Sequence, residues 1–148
     1  MKLQVLVNKD CPNKITICKP AKSGDAGFDL VSWIDTKTGK VTIYPHTMVN
    51  IRTGMSIKIP RGYWGDIRPR SSTFMKKHLL VMNSVIDEGY VGEISYVVWN
   101  PSSNSICINN GDRVAQLVIL PRITPSIRYV NRLPNTSRSN AGFGSTGV

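Results

Sequence analysis

Apolar and polar residues alternate along most of this chain in short runs, and turn-forming residues interrupt the runs roughly every eight to twelve positions. Turn sequences between the runs include DTKTGK, IPRG, NPSSN and NNGD. The pattern predicts strands at 2–7, 14–18, 27–33, 41–44, 47–52, 55–59, 63–68, 79–85, 93–99, 105–108, 113–120 and 127–130. Strands spaced in this way are typical of a β-sandwich or β-barrel.

One stretch, SSTFMKKH at 71–78, predicts a helix of one or two turns instead of a strand. Ser71 and Ser72 can cap its start, and Phe74, Met75 and His78 are spaced to contact a core. We therefore expect an all-β fold, a distorted jelly-roll-like barrel or sandwich, with one short helix.

The length of 148 residues predicts a single domain with its own core. A hydrophobic content of 41% and a charged content of 19% are ordinary for a soluble globular protein. No apolar stretch approaches membrane-spanning length, so no membrane partner is expected. The opening MKLQVLV is shorter than a secretory apolar region and no small-residue cleavage site follows it. We expect an intracellular, soluble protein that begins with a strand.

Three cysteines, Cys11, Cys18 and Cys107, make an odd number, and their spacings match no zinc or redox motif. Only His46 and His78 are available as histidine ligands. We expect buried free thiols in a reducing compartment, and no metal held by these residues.

The chain is strongly basic, with 19 Lys and Arg against 9 Asp and Glu, a net charge of +10 and a pI near 9.9. No acidic residue follows Asp112, whereas five arginines do. The electrostatic field of so positive a protein attracts polyanions, either nucleic acid or a phosphorylated small molecule. It can also serve only to keep the protein in solution, and the charge alone does not choose among these roles.

Five stretches carry polar and glycine residues that a β domain does not need: KSGDAGFDL, RPRSST, VIDEGYVGE, GDRVAQLVI and RSNAGFGSTGV. Each has a simple structural explanation. DEGY can be a hairpin turn, RPRSS a helix cap with solvated arginines, and GDR a turn whose Asp and Arg pair with each other. The final stretch, 138–148, can be a frayed tail or an arm that becomes ordered over a ligand.

Taken together and in order, these stretches resemble the five motifs of the trimeric dUTP pyrophosphatase (dUTPase) family. AGFDL at 26–30 resembles the first motif, PRSS at 69–72 the second, and VIDEGYVGE at 85–93 the third. GDRVAQLVI at 111–119 is similar to the fourth and RSNAGFGSTG at 138–147 to the fifth. The resemblance spans most of the chain.

The resemblance implies a homotrimer whose three active sites lie between subunits. Motifs one, two and four would come from one subunit, motif three from a second, and motif five from the third. Residues 1–137 would form the β domain, and residues 138–148 a flexible C-terminal arm that closes over the nucleotide.

The activity that the resemblance implies is hydrolysis of dUTP to dUMP and pyrophosphate, by attack of water on the α-phosphorus. Asp87 matches the aspartate that orients and deprotonates the water. Arg70 and Ser71 match residues that stabilise phosphate charge. Mg²⁺ would be carried on the triphosphate. Asp29 would order the water shell of that metal, or act only as a structural hydrogen-bond acceptor.

Substrate binding is implied for further residues by the same resemblance. The 79–96 hairpin would read uracil with its backbone, Tyr90 would exclude a 2′-hydroxyl, and Phe143 would stack on the base. The substrate-binding set is Ser72, Val85, Ile86, Tyr90, Gln116, Arg138, Phe143, Gly144, Ser145 and Thr146.

The sequence departs from the commonest motifs at a few positions, since Ser72 and Ser84 stand where glycines are usual and Gly89 where an acid is often found.

A second hypothesis for the function is a dCTP deaminase, which shares the fold. Those enzymes need a glutamate at the position of Val97 and an arginine at that of Lys76. A third is a regulatory or nucleic-acid-binding protein on the same fold; nucleic acid is a partner that the charge permits and the activity does not require.

Overall fold

Ten β-strands and one short helix make up the regular structure of the described residues, 2–12 and 22–139, in this computed structural model. The strands are β1 (Gln4–Val7), β2 (Gly27–Val31), β3 (Lys40–Ile43), β4 (Met48–Lys58), β5 (Tyr63–Pro69), β6 (Leu80–Val81), β7 (Ser84–Ile86), β8 (Glu93–Trp99), β9 (Ile106–Asn109) and β10 (Arg113–Pro121), and the helix is α1 (Ser71–Lys77). The strand predicted at 14–18 lies outside the described residues.

The strands form antiparallel sheets with the orders β1-β4-β8-β6, β2-β10-β5-β7 and β3-β9. Alternation decides which side chains enter the core: in β8, Ile94, Tyr96 and Val98 are buried while their neighbours are partly exposed. The buried cluster includes residues of all three sheets, among them Ile43, Ile51, Ile94, Ile108 and Leu117. The predicted all-β, sandwich-like fold with one short helix is confirmed.

Two pairs of boundaries differ from the predicted strands. The predicted strands 47–52 and 55–59 are one strand, β4, whose pairing with β8 shifts between Arg52 and Ser56. Gly54 lies in this bulge with φ of +67°, a conformation that glycine adopts without strain. The predicted strand 79–85 is divided into β6, which pairs with β8, and β7, which pairs with β5.

The strand predicted at 127–130 is wrong, because residues 122–130 form no strand in the described chain. Ile127 is 80% exposed and Tyr129 is 94% exposed. These residues have strand propensity, but the described chain offers them no partner strand, and propensity alone does not form a β-strand.

The helix is where the sequence predicts it, but its details differ. Arg70 is the N-cap residue and no side chain caps the helix, so the predicted capping by Ser71 and Ser72 is wrong. Phe74 and Met75 are 49% and 75% exposed and therefore do not pack into the core. Thr73 is the buried residue instead, and its hydroxyl donates to the Val114 carbonyl at 2.5 Å.

The cysteine prediction is correct for one of the two described residues. Cys11 is a buried free thiol, and burial, together with the nearby Glu93 carboxylate, raises its pKa. Cys107 is also free but exposed, whereas Cys18 lies outside the described residues. Within residues 2–12 and 22–139, no helix is long and apolar enough to cross a membrane.

Candidate active site

Residues of three of the five motifs line one cavity of about 320 Å³, which we call the arginine pocket. Its floor comes from β2 and β10, which pair directly, and one wall comes from the start of α1. The lining residues are Asp25, Ala26, Gly27, Asp29, Arg70, Ser71, Ser72, Gln116 and Val118. Five residues predicted from the sequence, Asp29, Arg70, Ser71, Ser72 and Gln116, are therefore brought together here.

Asp29 pairs with two arginines in the arginine pocket. Its Oδ1 lies 2.6 Å from Arg70 Nε, and its Oδ2 lies 3.3 Å from Arg113 Nη1. Arg70 Nη1 also donates to the Arg113 carbonyl at 3.1 Å. The Asp29 side chain is 12% exposed, so the two arginines neutralise a carboxylate that is largely removed from water.

Arg113, which sequence reasoning missed, contacts Asp29 of the arginine pocket without lining the pocket itself. The simple interpretation of GDR, in which Asp112 pairs with Arg113, is wrong because Asp112 Oδ2 lies 3.0 Å from Lys77 Nζ. The same oxygen also accepts a hydrogen bond from the Asn109 backbone N–H at 3.1 Å. Arg113 is thereby left to pair across the sheet with Asp29.

Gln116 fixes the junction between β10 and the end of β5. Its Nε2 donates to the Pro69 carbonyl at 2.9 Å, one residue before Arg70. Gly27 makes room for it, since a Cβ at that position would collide with Gln116 Oε1. The amide therefore holds the PRSS backbone in place.

The third motif forms a separate cavity of about 200 Å³, which we call the tyrosine pocket. Its lining residues are Val85, Ile86, Asp87, Tyr90, Glu93 and Ser95. Asp87 is exposed and its carbonyl accepts a hydrogen bond from the Tyr90 backbone N–H at 3.1 Å, which closes the turn between β7 and β8. Four predicted residues, Val85, Ile86, Asp87 and Tyr90, are thus grouped here.

Glu88, next to the catalytic candidate Asp87, anchors the turn from outside. Its Oε2 accepts from the Gly62 backbone N–H at 2.9 Å and lies 3.1 Å from Arg122 Nη2. The turn is therefore tied both to the β4–β5 loop and to the residue that follows β10.

Glu93, at the base of the same turn, pairs with Arg52 of β4. Arg52 Nη2 lies 2.7 Å from Glu93 Oε2, and Glu93 Oε1 accepts from the Gly54 backbone N–H at 2.9 Å. Burial raises the pKa of Glu93, but the hydrogen bonds from Arg52 and Gly54 outweigh it and the net pKa is lowered from its ordinary value. The pairing correspondingly raises the pKa of Arg52.

The two pockets lie toward opposite ends of β5. Ile86 pairs with Gly65, so Asp87 follows next to position 64, whereas Arg70 comes directly after the other end of the strand. Six residues of extended chain between those points span about 20 Å, at roughly 3.3 Å per residue. The arginine pocket and the tyrosine pocket also share no lining residue.

The side chains in the described ranges do not form a protein-held metal centre. No group of three or more His, Cys, Asp or Glu residues there could hold a metal ion. In the arginine pocket, Asp29 already accepts from two arginines, and Asp25 Oδ2 accepts from the Lys22 backbone N–H at 2.8 Å. This donor set fits a metal that arrives with its own oxygen ligands, and does not fit a resident ion.

Most of the predicted fifth motif lies beyond the described part of the chain. Arg138 is described and exposed. Phe143, Gly144, Ser145 and Thr146 lie outside the described residues.

Comparison with known proteins agrees with the motif assignment. The dUTPase family model matches residues 13–147. A deoxyuridine 5'-triphosphate nucleotidohydrolase of Clostridium novyi is 38% identical over 148 residues, which cover 99% of this chain and 100% of that protein. One from Hydrogenobaculum sp. is 41% identical over 130 residues, covering 86% of this chain and 88% of that protein.

Solved structures agree with the fold. The dUTPase of Staphylococcus bacteriophage 80alpha with dUPNHPP superposes with a TM-score of 0.86, at 28% identity and 99% coverage of both chains. A mutant dUTPase from phage phi11 of S. aureus, described with a structural Mg(II) ion, has a TM-score of 0.75 at 26% identity, covering 89% of this chain and 98% of that one. With the family model matched over nearly its whole length, this chain belongs to the dUTPase family.

Proposed function

We propose that this protein hydrolyses dUTP to dUMP and pyrophosphate, by attack of water on the α-phosphorus. The observation that carries the proposal is the arginine pocket, where Arg70, Ser71 and Gln116 surround a cavity large enough for phosphate groups. Guanidinium groups and hydroxyls are suited to polyphosphate oxygens, and they stabilise charge that develops during phosphoryl transfer. The named activity of the curated relatives supports the same conclusion.

Asp87 is the proposed general base. Its carboxylate can accept a proton from the attacking water while the residues of the arginine pocket hold the phosphates. Asp29 has a positioning role in this proposal, because its contact at 2.6 Å fixes the direction of the Arg70 guanidinium. Ser72 completes the pocket wall beside Ser71.

The tyrosine pocket is the proposed site for uracil and deoxyribose. Val85 and Ile86 supply backbone groups at its edge, and the Tyr90 ring, 43% exposed, presents an apolar surface to a sugar. Arg138 and the segment beyond the described residues supply groups that suit a closing arm: Arg138, Gly144, Ser145 and Thr146 for phosphates, and Phe143 for stacking on the base.

A homotrimer is part of the proposal. Asp87 and Arg70 of one chain are about 20 Å apart along β5, yet both must act at one α-phosphorus. Two copies of the chain are therefore needed to bring an arginine pocket and a tyrosine pocket together. The segment after β10 also exposes large apolar side chains that a second copy would bury. Ile123, Ile127, Tyr129 and Leu133 are between 80% and 94% exposed.

We propose that Mg²⁺ enters with the triphosphate, held by phosphate oxygens and water, where it would neutralise part of the phosphate charge. The structure of a mutant phage phi11 dUTPase described with a structural Mg(II) ion supports metal binding in the family. The alternative role of Asp29, meeting the water shell of such a metal, would compete with its contacts to Arg70 and Arg113.

An intracellular location is also proposed. Cys11 and Cys107 are both free thiols, which suits a reducing compartment.

The first experiment measures pyrophosphate release from dUTP and from dATP, dCTP, dGTP and dTTP by the purified protein. We expect release from dUTP alone, and release slower by roughly two to four orders of magnitude in the matched Asp87→Asn variant. Ammonia release from dCTP would instead favour the deaminase hypothesis, which the valine at position 97 argues against.

The second experiment tests whether the site is shared between chains. Asp87→Asn chains and Arg70→Gln chains, each inactive alone, are mixed, unfolded and refolded together. In a cyclic trimer every mixed assembly contains one site with both native residues, so random 1:1 mixing should restore about a quarter of the parental activity. If the mixture shows no activity, both residues act within a site of one chain, which would contradict a site shared between chains.

A further inference from the structure

The ring of Tyr90 is held at two points by the residues that follow it. Its hydroxyl donates to the Glu93 carbonyl at 2.8 Å. The ring lies directly over Gly92, where a Cβ would come within 2.5 Å of the hydroxyl oxygen and 2.6 Å of Cζ. The position of the ring therefore depends on where the backbone of Gly92 and Glu93 lies.

The backbone at Glu93 is fixed in turn by its own side chain. Arg52 approaches the carboxylate from β4, with Nε 3.1 Å from both oxygens and Nη2 2.7 Å from Oε2. This fork geometry is the strong, directional form of an ion pair. The Gly54 backbone N–H donates to the same carboxylate at 2.9 Å.

Arg52 itself is oriented by a third contact. Its guanidinium carbon lies 4.2 Å from the centroid of the Trp33 ring, a distance at which a cation is attracted to an aromatic face. Asp35 reaches the solvent side of the guanidinium at 3.7 Å and is 72% exposed. The ion pair thus rests on a buried indole on one side and faces water on the other.

We propose that Arg52 is a positioning residue for sugar discrimination, acting through Glu93 to hold the Tyr90 ring in the tyrosine pocket. Arg52 lies outside all five motifs and lines neither pocket. The proposal rests on the function proposed above, because it assumes that the Tyr90 ring meets the deoxyribose of dUTP. A ring that shifts away from Gly92 leaves room for a 2′-hydroxyl, so UTP becomes a better substrate.

A purely structural role for Arg52 makes a different prediction. The pair also stabilises the bulge in β4, where Thr53 Oγ1 donates to the Ile94 carbonyl at 2.6 Å. If Arg52 only stabilises this bulge, its loss lowers the unfolding temperature and leaves the ratio of dUTP to UTP hydrolysis unchanged.

The test measures kcat and KM for dUTP and UTP in Arg52→Met, Arg52→Lys and Tyr90→Phe. Asp35→Asn is the matched control, because it removes only the exposed partner of Arg52. We expect Arg52→Met to lower the dUTP/UTP ratio of kcat/KM about tenfold, mainly through KM, with Arg52→Lys intermediate and Asp35→Asn unchanged. The Arg52→Met/Tyr90→Phe double variant should lose no more discrimination than the larger single effect, since both act through one contact.

Hydrogen exchange of residues 87–93 in the nucleotide-free protein supplies a readout that does not depend on activity. We expect faster exchange in Arg52→Met and parental exchange in Asp35→Asn. An unchanged dUTP/UTP ratio in Arg52→Met, whatever its exchange rates, or fully additive losses in the double variant, would overturn the proposal. If the parent does not hydrolyse dUTP the proposed function fails, and the exchange rates alone then decide whether Arg52 positions the Tyr90 turn.

Discussion

A single side chain in this protein takes its role from the groups that reach it, as Asp29 illustrates. By type, it could bind the water shell of a metal or accept hydrogen bonds from the protein. Arg70 and Arg113 both reach it, at 2.6 and 3.3 Å, and each of its oxygens has a guanidinium partner. We therefore propose that its first role is to orient the Arg70 guanidinium toward the arginine pocket.

Asp29→Asn tests that role, because asparagine keeps the shape and removes the charge that holds both arginines. Losing a hydrogen bond to a charged group costs about 1.5–3 kcal/mol, so kcat/KM for dUTP should fall roughly tenfold to a hundredfold. The Mg²⁺ concentration that gives half-maximal rate should stay at the parental value. A large increase in that concentration would instead assign Asp29 to the metal's water shell.

Asp87→Asn tests the proposed base. Because the amide cannot take a proton from water, turnover of dUTP should fall by roughly two to four orders of magnitude. Binding of a non-hydrolysable dUTP analogue, measured by calorimetry, should remain close to parental. Near-parental turnover in this variant would remove Asp87 from the mechanism.

At the scale of elements, the β4 bulge and the turn between β7 and β8 behave as one unit. Glu93 is the first residue of β8, directly after the turn, and its carboxylate accepts the Gly54 N–H from the middle of the bulge. Gly54 in turn has no room for a side chain, since a Cβ would lie 2.5 Å from Cys11 Sγ. A substitution that shifts the backbone of either element therefore also shifts the other.

The lowered pKa of Glu93 predicts a pH dependence of stability. A carboxyl whose folded-state pKa lies below its ordinary value of 4.5 stabilises the fold fully above that value. The stabilisation is lost as the pH falls through the lower, folded-state pKa. The gap in unfolding temperature between the parent and Glu93→Gln should therefore narrow below pH 4.5 and be constant above it. A gap that does not change with pH would show that the charge of Glu93 contributes nothing.

At the scale of the whole molecule, the segment after β10 has apolar side chains and, within its described part, no strand partner of its own chain. Ile123, Ile127 and Tyr129 are between 80% and 94% exposed, above the 71% of Leu6, the most exposed large apolar side chain of the described strands. Exposed apolar patches mark interaction surfaces, which agrees with the proposed trimer. The segment also precedes the residues that resemble motif five. We therefore propose that it contributes to the trimer interface.

Ile127→Asp should weaken the trimer, because a charge cannot be buried without a partner. Light scattering after size-exclusion chromatography should show smaller species at low protein concentration. Thr124→Asp, at an exposed position of the same segment with a polar side chain, is the matched control and should remain trimeric. A trimeric Ile127→Asp variant would contradict the proposed role of this segment.

Removal of residues 138–148 should leave the trimer intact but lower the dUTP turnover steeply. The truncated chain lacks Arg138, Ser145 and Thr146 as phosphate donors and Phe143 as a stacking ring, and alignment of the α-phosphorus depends on such contacts. Turnover at the parental rate would mean that these residues are only a tail.

The sequence by itself determined the strand-rich fold, the extent of the short helix and the identity of the motif residues. These follow from neighbouring residues, since alternation such as that of Ile94, Tyr96 and Val98 and the turn residues between runs act over a few positions. Only the tertiary structure decided that the 79–85 run serves two sheets and that 127–130 forms no strand. A strand needs a partner, and the partner is chosen elsewhere in the chain.

The partners of charged residues were also decided only by the tertiary structure. Arg113 pairs with Asp29 and not with the adjacent Asp112, and Arg52 pairs with Glu93, 41 residues away. No local pattern predicts such pairs, because the register of distant strands sets which side chains face each other. The same register places Asp87 and Arg70 at opposite ends of β5, and for this reason the proposed active site needs a second copy of the chain.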